Sequence, residues 1–135
     1  GPKDFIFRVL SGVAIGIVAG LILNAILGEI FKYLMQYHPI FKTLLGVVQA
    51  IQFTVPALIG ALIAMNFNLT PLAITVVASA SYVGSGAAQF KNGVWVIAGI
   101  GDLINTMFTA AIAVLFILLI EERVGSMALI VFQQL

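Results

Sequence analysis

The sequence predicts an all-α integral membrane protein of about four transmembrane helices, and three observations support this class. Hydrophobic residues make up 62% of the 135 residues and charged residues 8%, whereas soluble domains are about 45–50% apolar and about 25% charged. The mean hydropathy is +1.20. Four apolar segments approach the roughly 17–25 residues that cross a bilayer as a helix. The lipid bilayer is therefore the expected environment of this chain.

The predicted spans are separated by short polar connections. They run approximately from Val9 to Leu27, from Thr43 to Met65, from Leu72 to Ala88 and from Val94 to Ile120. Between the first two, Gly28 to Pro39 combines charged residues and two tyrosines with apolar residues at helical spacing, which predicts an amphipathic helix in the membrane interface. The last apolar stretch, Val124 to Leu135, is too short to span. It predicts a truncated segment or a short re-entrant or interfacial helix.

A single transmembrane domain over residues 3–135 is expected, with one repeat of a two-repeat transporter as a further interpretation. Residues 1–2 resemble the scar of a removed purification tag. If all four segments cross, the basic residues divide equally between the two sides, with Lys3, Arg8 and Arg123 against Lys32, Lys42 and Lys91. The tie leaves the orientation open. It is typical of antiparallel homodimers and also of a fragment, so we expect a homo-oligomer, with a parallel or antiparallel dimer as alternatives.

Small residues in the first span predict close helix packing. Gly12, Gly16 and Gly20 are spaced four apart, a pattern that lets another helix approach its backbone. Asn24 continues the row, either as part of a polar site or as a cap of the helix end. The second span carries a different polar face.

Gln49, Gln52 and Pro56 share one face of the second span. Pro56 lacks a backbone N–H and displaces the carbonyl of Gln52, which predicts a kink. Two interpretations follow: the proline only bends the helix, or the glutamines line a pore or a substrate path.

A serine- and glycine-rich stretch, residues 79–89, closes the third span and includes Ser81, Ser85, Gly84 and Gly86. Two glycines permit unusual backbone angles, and helix propensity is low. Irregular backbone at membrane depth is tolerated only where it is buried in protein or lines water. The stretch therefore predicts either a discontinuous helix that forms a substrate site or close packing of small residues.

Asp102 is the one acidic residue well inside a predicted span, and Asn105 lies on the same helical face. An intramembrane carboxylate is by default a candidate functional group that binds a proton, an ion or a solute hydroxyl. Alternatively, Asp102 caps a helix that starts near Leu103 after a break at Gly99 and Gly101. Both interpretations are compatible, because a capping carboxylate at a helix break is itself polar.

Several functional classes lack the residues they need. The chain has no cysteine and one histidine, His38, so neither a metal site nor a cofactor is expected. No Ser/His/Asp set and no second intramembrane aspartate supports catalysis, so an enzyme is not expected. A basic patch with interleaved aromatics is also absent, which argues against a nucleic-acid partner.

The stretches Gly84-Ser85-Gly86-Ala87 and Gly101–Met107 together resemble stand-alone IIC-like permeases of the bacterial phosphotransferase system. The resemblance covers about half of a typical member. It implies transport of a sugar-type solute in the bacterial cytoplasmic membrane, by a multi-pass protein. The histidine and glutamate that serve the sugar in the family's other permeases have no counterpart here, since His38 and Glu29 lie in the predicted interfacial segment.

The sequence therefore predicts a transporter, or half of one, for a small polar solute, with its site completed by a second copy. The candidate solute- or ion-binding residues are Asp102, Asn105, Ser81, Ser85, Gln52 and Gln49. A structural membrane protein that moves nothing, and a small oligomeric channel, are the alternatives.

Overall fold

The structure, a computed structural model, describes residues 1–134 apart from the side chains of Ser126, Leu129 and Phe132. Helices account for 77% of the residues, which confirms the predicted all-α membrane class. In chain order the elements are α1 (Pro2–Gly16), a π-helical segment (Ile17–Ile22), α2 (Leu23–Leu34), α3 (Ile40–Gln52), α4 (Val55–Asn66), α5 (Pro71–Gly84), β1 (Ala88–Lys91), β2 (Val94–Ile97) and α6 (Leu103–Gln134).

The first helix is longer than predicted. α1, the π-helical segment and α2 form one continuous helix of 33 residues, or about 50 Å at 1.5 Å per residue. The interfacial helix predicted over residues 28–39 is therefore wrong in its first part, which continues this helix to Leu34. The physical reason is that nothing before Gly28 breaks the helix, and one glycine costs only about 1 kcal/mol. Amphipathic spacing is the same in a helix end as in a surface helix.

α1 and the π-helical segment that follows it pack against α4 through the row of glycines. Gly12 lies against Ile63, Gly16 against Ile59 and Gly20 against Val55. The three α4 side chains are fully buried and belong to the apolar core of the bundle. The contact is an approach of one helix backbone to another, as expected for small residues spaced four apart.

α3 and α4 form one bent unit. They meet at 45° across a break at residues 53–54, with Pro56 in the first turn of α4. The Phe53 N–H still donates to Ala50 O at 3.1 Å, so the break is a tight turn. Among the described residues, two helices are long and apolar enough to cross a membrane, or three spans result if the bent pair counts as one. This is fewer than the four spans predicted.

The third and fourth predicted spans are wrong at their shared boundary. α5 ends at Gly84, and residues 94–97 form strand β2, which pairs antiparallel with β1. The turn residues Asn92 and Gly93 both have positive φ, 52° and 82°, as a two-residue hairpin turn requires. A short apolar run does not distinguish strand from helix by periodicity, so residues 94–97 were indistinguishable from the start of a span.

The end of the chain also differs from the prediction, because α6 extends further than expected. The helix continues through Glu121, Glu122 and Arg123 to Gln134, because glutamate and arginine are good helix formers. The separate short segment predicted from residue 124 is therefore part of α6 as far as residue 134. Leu135 lies outside the described residues.

Candidate functional site

α5 ends and α6 begins at one place, which we call the α5–α6 junction (residues 81–87 and 98–106). Ser85 O accepts a hydrogen bond from Asp102 N at 2.8 Å, and Ala87 O accepts one from Ala98 N at 2.7 Å. The β-hairpin is thus an excursion that leaves the junction and returns to it. The junction lies on the bundle, because Gly60 of α4 lies against Ser81.

Asp102 immediately precedes α6, whose candidate membrane span begins at Leu103, so it lies at the end of a span and not well inside one as predicted. Its Oδ1 accepts from Asn105 N at 2.9 Å, and its carbonyl accepts from Thr106 N and Thr106 Oγ1 at 2.9 and 2.8 Å. The side chain therefore caps α6, which is the capping interpretation of this residue. Asp102 and Asn105 are both exposed. The cap uses Oδ1 of Asp102, and Oδ2 takes no part in it. A capping carboxylate can still bind a solute through its second oxygen.

The glycines at the junction divide into two kinds. Gly86 and Gly101 have positive φ, 81° and 77°, a conformation that disfavours side chains with a Cβ. Gly99 lies at φ 157°. Gly84 is instead helical, and a Cβ there would collide with the Thr109 side chain, so its small size serves packing between α5 and α6.

Replacing Gly101 by alanine should destabilise the fold more than replacing Gly86 by alanine. Both carry the backbone cost of the left-handed region, about 1–2 kcal/mol. A Cβ at Gly101 would also collide with Ser85, whereas nothing lies within 4 Å of one at Gly86. Thermal unfolding of the two variants in one detergent measures the difference. Equal shifts would show that the close approach at Gly101 is unimportant.

The two candidate serines are occupied within the fold. Ser81 is fully buried and donates from Oγ to Val77 O at 2.7 Å. Ser85, 3% exposed, donates from Oγ to Tyr82 O at 2.6 Å and accepts from Ala87 N at 3.0 Å. Their hydroxyl protons are already used, so the serines shape the junction, and Asp102 with Asn105 is its accessible polar pair.

The two candidate glutamines lie elsewhere. Gln49 and Gln52 line a cleft of about 170 Å³ between α2 and α3, which we call the amide cleft. It is lined by Asn24, Ala25, Gly28, Glu29, Lys32, Leu45, Val48, Gln49 and Gln52. The six candidate residues thus form two groups. The amphipathic pattern of residues 28–39, interpreted as an interfacial helix, hid the contribution of Glu29 and Lys32 to this cleft.

His38 lies in the turn between α2 and α3. His38 Nδ1 accepts from Ile40 N at 3.0 Å, where α3 begins. Within residues 1–134, no group of three His, Cys, Asp or Glu residues could hold a metal ion.

Comparison with known proteins gives one family. The family model described as "Phosphotransferase system, EIIC" matches residues 7–134, which include both the junction and the amide cleft. No curated protein and no solved structure matches the chain.

Proposed function

We propose, from the premise that the chain belongs to the phosphotransferase-system EIIC family, that it carries a small polar, sugar-like solute across the bacterial cytoplasmic membrane. The family consists of membrane permease components, so the chain is a transport component. This agrees with the resemblance of the two glycine-rich stretches.

The observation that carries the proposal is the α5–α6 junction. One apolar helix ends and another begins at this place, and the exposed carboxylate of Asp102 lies at the break between them. Broken helices with exposed helix ends are how many secondary transporters build a site for polar solutes. Asp102 uses Oδ1 to cap α6, and its second oxygen is left to accept a hydrogen bond from a solute hydroxyl. Asp102 and Asn105 are the proposed contacts, with Ser81 and Ser85 shaping the break.

We further propose that a second copy completes this site, in a parallel or an inverted arrangement. The β-hairpin supports this proposal, because it exposes aromatic side chains that another protein surface would cover. Phe90 and Trp95 are 62% and 64% exposed, with ring centroids 5.6 Å apart. The two strands pair only with each other in the described part of the chain. Unpaired strand edges are not stable against lipid. A second copy is one surface that would cover them.

Reconstituted flux distinguishes this function from its alternatives. The expected result is saturable uptake of radiolabelled hexoses or hexitols into proteoliposomes, with accelerated exchange when the same solute is inside. A channel would give steady current across a planar bilayer without saturation by the solute. A structural module would give neither, and that outcome with a correctly folded, oligomeric protein would contradict the proposal.

A further inference from the structure

The amide cleft begins where the first helix departs from α-helical geometry. In the π-helical segment the hydrogen bonds are rearranged, as shown by Leu23 N, which donates to Val18 O. Two amide side chains bind carbonyls of this segment: Asn24 Nδ2 donates to Gly20 O at 2.8 Å, and Gln52 Nε2 donates to Leu21 O at 3.3 Å. Such π-helical insertions are frequently found at functional sites. The segment therefore provides a polar end to the cleft.

The other end of the cleft carries an ion pair. Lys32 Nζ lies 3.0 Å from Glu29 Oε1, and the two side chains are 54% and 73% exposed. Asn24 and Lys32 are eight residues apart, or about 12 Å along the helix. Lys32 is two residues before the end of α2 at Leu34. The cleft thus runs from the end of α2 toward the middle of the 33-residue helix.

Polar groups continue along this whole path. Gln49 is exposed in the cleft wall, and Asn24 and Gln52 are partly buried deeper in it. The amides of Asn24 and Gln52 donate inward, to Gly20 O and Leu21 O, so their side-chain oxygens can accept hydrogen bonds from an occupant. Lipid tails cannot form hydrogen bonds with such groups, but water can. The cleft volume of about 170 Å³ is many times the roughly 15 Å³ that one water needs.

We propose that the amide cleft is an aqueous vestibule that admits small, uncharged, hydroxyl-bearing solutes from the side of the membrane at which α2 ends. Its volume is below the roughly 300–1,000 Å³ of sites for drug-sized ligands, which fits a single small molecule. The amides offer donors and acceptors to hydroxyl groups. The vestibule is separate from the α5–α6 junction, and it rests on the proposed function only in the kind of solute that enters.

The ion pair at the mouth explains the preference for uncharged solutes. Glu29 and Lys32 neutralise one another, so the mouth has no net charge to attract an ion. An anion or a cation entering the cleft would meet one like charge and would lose its own hydration. An uncharged solute exchanges hydrogen bonds with water for hydrogen bonds with amides at little cost.

Cysteine reactivity tests the vestibule directly, since the chain contains no cysteine. Gln49→Cys places a thiol in the cleft wall. Val47→Cys is the matched control, two residues away on the same helix, where the native side chain is 50% exposed but outside the cleft lining. Only the thiolate reacts, and it forms in water far more readily than in lipid. The probes are methanethiosulfonates with a neutral hydroxyethyl, an anionic sulfonatoethyl or a cationic trimethylammonium group.

In proteoliposomes, the neutral hydroxyethyl reagent should modify Gln49→Cys at least about tenfold faster than Val47→Cys. His38→Cys, in the exposed turn before α3, normalises each reagent's intrinsic rate. Relative to that site, the two charged reagents should react with Gln49→Cys several-fold more slowly than the neutral one. Equal rates at positions 49 and 47 would overturn the vestibule, and equal normalised rates for all three reagents would overturn its selectivity. Labelling needs no transport, so a failed flux assay leaves this result unaffected.

Discussion

Replacing Gly16 by alanine is expected to destabilise the bundle by about 1–3 kcal/mol, the usual cost of forcing extra atoms into a packed contact. The added Cβ would lie 2.5 Å from Ile59 Cγ1 and 3.2 Å from Ile59 Cα. Rotation of the isoleucine side chain relieves only the first of these contacts. The second is to the backbone of α4, so the two helices must move apart. Helix propensity acts in the opposite direction, since alanine is better than glycine by about 1 kcal/mol.

Gly46→Ala is the matched control for Gly16→Ala. Gly46 is also helical, in α3, but nothing lies within 4 Å of an added Cβ. This variant should unfold at the same temperature as the parent protein or slightly higher. Thermal unfolding of both variants, followed by circular dichroism in one detergent, compares them. A Gly16→Ala protein as stable as Gly46→Ala would contradict the close approach of α1 to α4.

Asp102→Ala and Asp102→Asn should separate the two roles of this side chain. The alanine variant loses the acceptor for Asn105 N, which is 2.9 Å from Oδ1, and loss of a helix cap costs about 0.5–2 kcal/mol. Asparagine retains a side-chain oxygen at this position and is as good a cap as aspartate. Unfolding of the two variants should therefore differ, with Asp102→Asn close to the parent protein. If both variants unfold alike, the cap is not what holds the start of α6.

The fold was predictable where its physical cause is local. Hydrophobicity gave the membrane class, the spacing of Gly12, Gly16 and Gly20 gave a close helix contact, and Pro56 gave a bend. The hairpin was missed because residues 94–97 are as apolar as the start of a span. The Asn92-Gly93 turn before them was the one local signal for strands. The length of the first helix was missed because amphipathic spacing carries no information about where a helix lies.

The candidate site was predictable residue by residue but not as an arrangement. Sequence identified Asp102 as both a polar group and a helix cap, and Gln49 and Gln52 as one helical face. It did not predict which helix faces each of them, because spacing along a helix says nothing about which helix lies opposite. The structure places the glutamines against α2 and Asp102 beside Ser85. The partnership of Gln52 with Leu21 O depends on tertiary packing across 31 positions of sequence.

Uptake by the Asp102→Asn variant tests the central claim most directly, since this change keeps the cap and removes the charge. The measurement is the initial rate of radiolabelled hexose or hexitol uptake into proteoliposomes that contain equal amounts of folded parent or variant protein. Hydrogen bonds to charged groups contribute roughly 1.5–3 kcal/mol, so we predict a loss of about ten- to a hundredfold in rate. An Asp102→Asn protein that transports at the parental rate would show that Asp102 only caps α6.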